Sequence, residues 1–565
     1  MSKTIYEELS EERKLLQESV DLPEWFTTAS WQVFKNGYLH NAKGYKDTCH
    51  RIAATLSTHT HDHEHWKQKF FDILWKGWLA PSTPVLANTG TNKGMPVSCS
   101  GTYVGDSIHD FYDAYKEIAI LSKLGFGTST YLGDIRALGS PISTGKHKAS
   151  GILPVIKNVV NVMRDVTQGG TRRGSCASYF EVEHKDFDDV MDYLKEQGDD
   201  LNIGINIDKN FIDKLQTGDI ESNRKWRKIL KSRMVSGKPY IGFIDKVNEL
   251  KPQVYKNHDL KIRASNLCCE VMLPSSQDET FICVLSSLNL KYYNDFKDTD
   301  ATQIAIYFLW CVNQEFIKLG KNIPGIERAV RFAENHQALG LGTLGFHTIL
   351  QQNSIPFESL EAHMLNNQIF KNIRTKADEM NKWIAEQHGE CKYTKGTKTA
   401  CTTLIAVAPN LTSAILAGGV SQSIEPVYEN AYTQGTAQGE LNRINPVLLQ
   451  LLKDKCIYTN ELIEDIIEHN GSVQHLEQLT EHEKLVFKTA FEIDQKVILR
   501  LASQRQKYID QGQSLNLFFS ANEDEEYIAE VHQLAAIDPY IKFLYYVRSK
   551  AGVQASKNIC VACEG

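Results

Sequence analysis

Nowhere in these 565 residues does an apolar run reach the length that spans a bilayer, and the amino-terminal MSKTIYEELSEERKLLQ is charged where a secretion signal would carry its apolar core. A cytoplasmic protein is expected. Positive charge is not in excess either: 62 Lys and Arg face 69 Asp and Glu, a net charge of −7 that argues against a nucleic-acid-coating surface. A local basic pocket for a phosphorylated small molecule stays open. The 12 cysteines are too sparse and irregular for the disulfide framework of a secreted domain. Cys49, Cys176, Cys311, Cys391, Cys401 and Cys456 sit in apolar or unremarkable contexts and read as core thiols. Internal repeats and low-complexity tracts are missing, apart from the alternating His59, His61, His63 and His65. No second ligand cluster accompanies that tract, so it reads as a solvated linker before a helix around 66–78.

Two nucleotide motifs are absent although their outlines are there. GSPISTGK (139–146) has five residues between its glycines where a phosphate loop has four, and His147 stands where the Mg²⁺-binding hydroxyl belongs. GLGTLG (340–345) matches GxGxxG but follows the helix-like ERAVRFAENHQA instead of a strand. A dinucleotide-binding fold is not expected.

What is present is alternation. Residues 1 to about 80 read as short, aromatic-rich helices, and from Ala80 onward strand-like runs alternate with amphipathic helices. Apolar side chains at 108, 111, 112, 115, 118, 119, 121 and 124 make a helical stripe that Asp106 or Ser107 can cap. Further helices are expected over 152–166, 301–319 and 359–388, and strands at LNIGINI (201–207), PYIGFI (239–244) and FICVLSSLNL (281–290). Alternation sustained for roughly 450 residues without a linker favours an α/β architecture with a largely parallel, buried sheet, closed as a barrel.

Within that frame, SNLCCE (265–270) sets Asn266, Cys268 and Glu270 in alternation, so an extended strand would put an amide, a thiol and a carboxylate on one face. A thiol can be nucleophile or radical carrier, a carboxylate a proton acceptor, an amide a neutral clamp. Ala408 to Ala414 follows a strand-like run and offers N–H groups and hydroxyls at a helix start, as a diphosphate would use, although an ordinary N-cap looks the same. Cys560 and Cys563 have no partner CxxC for zinc and read as a redox dithiol on a mobile arm. A mobile dithiol implies a disulfide elsewhere to reduce, for which Cys99 and Cys283 are the candidates. Adjacent Tyr545 and Tyr546 read, by themselves, as core packing.

In combination PSTPVLANTG, SCSGTYVGDS, GDIRALGSPI, TQGGTRRG, SNLCCEVMLP, FICVLSSLNL, GLGTLGF, VAPNLTSA, LYY and the terminal CVAC resemble the large, catalytic subunit of class I ribonucleotide reductase, from about residue 75 onward. The resemblance implies a ten-stranded α/β barrel over 80–546 with the catalytic cysteine on a finger loop inside it, a helical region over 1–79 and a mobile redox tail over 547–565. It implies reduction of ribonucleoside diphosphates to 2′-deoxyribonucleoside diphosphates. Cys268 would be the thiyl radical that abstracts the ribose 3′ hydrogen, Glu270 would take the 3′-hydroxyl proton, and Asn266 would hold that hydroxyl. Cys99 would protonate the departing 2′ hydroxyl and, with Cys283, end as a disulfide. Cys560 and Cys563 would then reduce that disulfide and be reset by thioredoxin or glutaredoxin. Thirteen residues separate Tyr546 from Cys560, a reach of at most about 45 Å at ~3.4 Å per residue.

The same resemblance makes Tyr545 and Tyr546 a stacked pair that relays the radical to Cys268 from a metal-containing small subunit, with Tyr545 nearer the cysteine. No metal or cofactor is expected in this chain. Thr83, Ser98, Gly125 and the run Pro409, Asn410, Leu411, Thr412, Ser413 and Ala414 match substrate-binding positions. Asp106, Ser107, Ile108, Arg136 and Ser143 match the site where a deoxynucleoside triphosphate or ATP sets substrate choice. Gln168, Gly169, Gly170, Thr171, Arg172, Arg173 and Gly174 match the loop relaying that choice. Ser143 stands where an effector-contacting arginine is often found, which shifts the expected phosphate contact to Lys146 or Lys148. Only 80 residues precede Pro81, too few for an added ATP-cone, so no overall-activity site is expected; in some relatives the small subunit carries the cone. Dimerisation is a family habit. Two rivals are an adenosylcobalamin-dependent reductase, which needs no tyrosine pair, and a catalytically silent nucleotide-binding regulator, against which the intact cysteines speak.

Overall fold

Strands buried along their whole length cannot turn a polar face to water, and the five longest of this kind among the described residues are Thr128–Tyr131, Asn202–Ile207, Tyr240–Phe243, Phe281–Asn289 and Leu339–Leu344. Such strands belong inside a sheet covered on both faces. The computed structural model describes residues 5–549 apart from 144, 146, 169–171, 198, 199, 437 and 438, and in it these strands share one nine-stranded sheet. The order runs Leu79–Pro81, Phe281–Asn289, Cys99–Tyr103, Thr128–Tyr131, Cys176–Glu181, Asn202–Ile207, Tyr240–Phe243 and Phe543–Leu544, with Leu339–Leu344 on the other edge of Phe281–Asn289. Cys99–Tyr103 through Tyr240–Phe243 form a parallel run of five joined by helical crossovers. Phe281–Asn289 lies antiparallel to the first of them and parallel to Leu339–Leu344. Isolated parallel bridges, Leu341 to Ile405 and Val407 to Gln513, carry that second run onward. The result is a mixed α/β protein with a strongly curled half-barrel sheet.

The helices follow the apolar stripes. Ile108–Lys123 starts after Ser107, whose Oγ accepts the Asp110 N–H at 3.2 Å. Leu153–Asp165, Ala301–Gly320 and Leu360–His388 occupy the other expected positions. None of the helices among the described residues is long and apolar enough to cross a membrane. Four helices, Ile5–Glu18, Thr28–Gly37, Tyr45–Ser57 and His63–Trp75, precede the sheet and bury Trp31, Phe34, Ile52 and Phe70 in the main core. A satellite core of Ala431, Leu448, Leu452, Ile463, Ile466, Val473, Leu476, Leu479, Val486 and Phe487 lies apart from it.

Two expectations are corrected. The histidine tract is exposed over 61–65 but is not a linker: Asp62 caps the helix His63–Trp75, His59 Nε2 pairs with Glu315 at 2.7 Å, and His61 stacks on His388 at 4.6 Å. GLGTLG follows the helix Glu327–His336, as the sequence reading has it, and is itself most of the Leu339–Leu344 strand. Its glycines serve close strand packing, since a Cβ on Gly340 would meet Leu285 at 2.5 Å and Cys283 Sγ at 2.9 Å. Finally, Val547–Ser549, assigned to the tail, is a strand parallel to Leu517–Phe519, with the Arg548 guanidinium 4.6 Å from the Tyr546 ring.

Candidate active site

The SNLCCE stretch is not a strand; residues 261–280 contain none. The reason is local: the Asn266 side chain competes for the backbone. Its Oδ1 accepts the N–H groups of Glu270 and Val271, both at 3.1 Å, while Cys269 takes a left-handed φ of 67° and sends its N–H to the Asn266 carbonyl at 3.4 Å. A turn replaces the alternating face, yet amide and carboxyl still meet. Asn266 Nδ2 donates to Glu270 Oε1 at 2.9 Å and to Cys99 Sγ at 3.2 Å. Cys269 points away from that cluster, its Sγ 3.4 Å from the Tyr179 hydroxyl, which also donates to the Asn266 carbonyl at 2.6 Å.

The loop is held by both parallel runs. Cys99 belongs to the first; from the second side Ser514 Oγ reaches the Cys268 carbonyl at 2.5 Å and Glu270 Oε2 at 3.0 Å, and Gly512 N donates to the Glu270 carbonyl at 2.9 Å. Glu270 is buried, its carboxyl held by the neutral Asn266 amide and Ser514 hydroxyl. Desolvation pushes its pKa up to about 7 against the pull of Asn266 and Ser514. Cys99 and Cys283 are directly opposed in the antiparallel register. Opposed residues have Cα atoms about 4.5–5.5 Å apart, inside the window a disulfide requires. Burial raises the Cys283 thiol to about 12, so it rests protonated. Gln511 Nε2 lies 3.4 Å from its sulfur, and Gln511 is itself tied to the Leu339 carbonyl at 2.9 Å and the Met272 N–H at 3.1 Å.

Tyr545 and Tyr546 are buried with ring centroids 4.3 Å apart, but their planes meet at 54°, so the pair is tilted and not stacked. The cause is a third ring: Tyr240 lies 4.8 Å from Tyr545 and 5.2 Å from Tyr546. Its hydroxyl joins that of Tyr546 at 2.9 Å and Asn202 Oδ1 at 3.1 Å. On the backbone side Tyr545 N donates to Leu515 O at 2.8 Å, one residue beyond the serine that grips Cys268. Asn516 Oδ1 accepts the Tyr546 N–H at 3.0 Å and its amide donates to the buried Glu425 at 2.6 Å.

The remaining candidates fall into two groups. Thr83 opens the helix Thr83–Asn88 with its hydroxyl 3.1 Å from Tyr38, Ser98 is buried against Ser82 Oγ at 3.2 Å, and Gly125 has a φ of 110°. Pro409 and Asn410 precede Leu411–Leu416; Asn410, at φ 59°, turns its amide to the Thr343 and Ala408 carbonyls at 3.1 and 3.0 Å and accepts from Ser287 Oγ at 3.1 Å. The N–H groups of the first turn, Leu411 to Ser413, have no intrahelical acceptor. Elsewhere, Arg136 Nε meets Asp106 Oδ2 at 2.5 Å beside the Ser107 cap and the exposed Ile108, and Arg136 Nη1 donates to Pro141 O at 3.0 Å. That bond and the Pro141–Lys148 bridge fold the loop carrying exposed Ser143 toward Asp106; Lys146 lies outside the described residues. Thr167–Gln168 and Arg172–Arg173 pair as a small hairpin leading to Gly174, with Gly169, Gly170 and Thr171 outside the described residues, as are Cys560 and Cys563.

A thiol, amide and carboxyl cluster inside a curled α/β sheet, reached by buried tyrosines, is the architecture of a ribonucleotide reductase. The family model "Ribonucleotide reductase, barrel domain" matches residues 97–223, 209–403 and 399–547, and "Ribonucleotide reductase, all-alpha domain" matches 24–94. The chain is 35% identical over 531 residues to the putative ribonucleoside-diphosphate reductase large subunit of Frog virus 3 (isolate Goorha), covering 88% of this chain and 92% of that one. It is 32% identical over 597 residues to the ribonucleoside-diphosphate reductase large subunit of Invertebrate iridescent virus 3, covering 89% and 93%. The class Id ribonucleotide reductase alpha subunit of Actinobacillus ureae superposes with a TM-score of 0.86 at 37% identity, over 94% of this chain and 98% of that one. The chain belongs to the family of class I ribonucleotide reductase large subunits and is a ribonucleoside-diphosphate reductase catalytic subunit.

Four groups at the site were not singled out from the sequence: Tyr179, Tyr240, Gln511 and Ser514. Tyr240 hides in the apolar PYIGFI, where an aromatic reads as core. Gln511 and Ser514 had a usable signal, the polar DQGQS run set directly against the apolar LNLFF, which marks polar side chains about to enter a core.

Proposed function

We propose that this subunit reduces ribonucleoside diphosphates by thiyl-radical chemistry centred on Cys268. The observation that carries the proposal is the single Asn266 amide bridging Cys99 Sγ and Glu270 Oε1 while the register opposes Cys99 to Cys283. The Cys268 thiyl takes the 3′ hydrogen and becomes a thiol; Glu270 accepts the 3′-hydroxyl proton; the Cys99 thiol protonates the 2′ hydroxyl, which leaves as water. Cys99 and Cys283 join as a disulfide while their two electrons and the remaining thiol proton form the new C2′–H bond; Glu270 returns its proton to the 3′ oxygen, and Cys268 returns the hydrogen to C3′. The tail dithiol of Cys560 and Cys563 then exchanges with that disulfide, with thioredoxin or glutaredoxin as final reductant. A large subunit of this family requires a small subunit, which we take to be metal-containing and the source of the radical. Tyr546 and Tyr545 relay it with Tyr240 as hydrogen-bond partner. Two parallel runs joined at the Cys99–Cys283 pairing support closure into a ten-stranded barrel. The Asp106, Ser107, Ile108 and Arg136 corner is the proposed effector site, with the Gln168 to Gly174 hairpin as its relay, and the start of Leu411–Leu416 the proposed diphosphate site.

Electron balance gives the test. With the pre-reduced chain, a small subunit and no external reductant, each dithiol supports one reduction. Wild type is expected to form two deoxynucleotides per chain in a rapid phase and Cys560→Ser/Cys563→Ser one. Two from the double variant would remove the tail from the circuit; none with any small subunit would overturn the assignment.

Glu270 supplies a second check. As a base it works ionised, and with its pKa at about 7 the rate is expected to fall as pH drops below neutral. Glu270→Gln, whose amide can still accept from Asn266 and donate to Ser514, should lack that acid limb and lose about 10²–10⁴-fold in kcat. Stability moves the other way. A folded pKa raised from 4.5 to about 7 means burial favours the neutral acid, so this stabilisation is full below the unfolded value and lost as pH rises through about 7. The loss is at most ~3 kcal/mol. Because Gln is neutral throughout, the variant should melt higher than wild type at mildly alkaline pH. Equal melting temperatures there would contradict the buried-carboxyl account.

A further inference from the structure

Away from the reductive site, Asp465, His469 and His475 bring one carboxylate and two imidazole nitrogens within 4.8 Å of one another. His475 Nε2 lies 2.9 Å from Asp465 Oδ2 and His469 Nδ1 3.2 Å from Asp465 Oδ1, with the two rings stacked at 3.7 Å and 19°. We propose that these three side chains form a binding site for a divalent transition-metal ion of the zinc, cobalt or nickel kind, with water completing the coordination.

The ligand set suits such an ion: imidazole nitrogen and carboxylate oxygen are its usual donors, whereas calcium and magnesium select oxygen alone. Spacing agrees as well. Metal–ligand bonds of about 2.0–2.2 Å place neighbouring donor atoms about 3.0–3.5 Å apart, and the two nitrogen–oxygen separations, 2.9 and 3.2 Å, one to each oxygen of the Asp465 carboxylate, fall at or close to that range. The third separation, bounded by 4.8 Å, closes by a rotamer adjustment of half-exposed rings.

The backbone is arranged for it. Asp465 and His469 sit four apart around the end of helix Asn460–Glu468, whose Ile463 and Ile466 are anchored in the satellite core on the opposite face. Asn470 and Gly471 end that helix at φ 54° and 74°, with Gly471 N bonded to Ile466 O at 2.8 Å. A side chain at 471 would strike Glu429, its Cβ meeting the Glu429 Cβ at 2.4 Å, so the reversal needs glycine. The reversed chain brings His475 back beside Asp465, pinned between buried Val473 and Leu476. In the ion-free chain the His469 Nδ1–H is shared between the Asp465 carbonyl at 2.8 Å and the Asp465 carboxylate at 3.2 Å, and that proton leaves when the nitrogen ligates. Without an ion the imidazoles can each give an N–H to the shared carboxylate. A metal takes the place of those protons on the ring nitrogens. Bound there, the ion ties the helix end to the following turn on the outside of the satellite core.

The test uses the full chain carrying Cys560→Ser and Cys563→Ser, so that the tail dithiol cannot compete, titrated with Co²⁺ by calorimetry and visible absorption. One saturable equivalent is expected, without thiolate bands. His475→Ala and Asp465→Asn should each weaken it at least ~10-fold with unchanged circular dichroism in EDTA. No saturable uptake at millimolar Co²⁺ overturns the site; so does uptake that survives in either variant, which would place the ion elsewhere, for instance at His59 to His65.

Discussion

Cys268→Ala is expected to abolish deoxynucleotide formation, by about 10⁴-fold or more, while substrate and effector binding stay within a few-fold of wild type. No other group in the cluster can take over. Cys99 is engaged by Asn266 and opposed to Cys283, and Cys269 turns back to Tyr179. Folding should be spared, because Cys268 is only half-buried and the loop is held through its backbone carbonyl by Ser514 and through the Asn266 side chain by Glu270 and Val271. The measurements are product per chain with a small subunit present, and nucleotide affinity by equilibrium dialysis. Substantial multiple turnover by this variant would sink the mechanism.

Tyr546→Phe should cost at least about 10³-fold in kcat, above 4 kcal/mol of barrel-chemistry barrier, because phenylalanine keeps the ring but cannot be oxidised and reduced like a phenol. The ring contacts with Tyr545, Tyr240 and Arg548 are retained, and the Tyr240 hydroxyl keeps Asn202 as a partner. The structural cost is therefore that of one hydrogen bond, about 1 kcal/mol. Tyr240→Phe separates relay from support: both relay phenols survive, and a loss of about tenfold is expected from the missing 2.9 Å bond. If Tyr546→Phe turned over at the wild-type rate with a small subunit, the tyrosines would be packing and the radical would arrive by another route.

The α/β class and the residue types gathered at the candidate site are legible in the sequence. Helices such as Ile108–Lys123 and Leu360–His388 announced themselves by apolar stripes and caps, and the buried strands by uninterrupted apolar runs. The SNLCCE geometry was misread because a period-two pattern is ambiguous when one of its members is asparagine. The Asn266 side chain takes the N–H groups that a strand partner would have used, and a turn results. The family resemblance implies a stacked Tyr545–Tyr546 pair, and the tilt is not legible locally because the third ring against both, Tyr240, lies some 305 positions earlier.

Composition, periodicity and motif content thus determined the class of chemistry, the α/β architecture and the thiols, amide, carboxyl and tyrosines to be watched, because those depend on residue type and local spacing. Only the tertiary structure decided which of them meet. The Cys99–Cys283 opposition is set by the register of strands 180 residues apart, and the rise of the Glu270 pKa by burial that no neighbour in sequence supplies. The Asp465, His469 and His475 cluster exists because a glycine turn folds the chain back over a helix end. Register, desolvation and chain reversal are properties of packed elements, and a linear pattern carries them only as constraints.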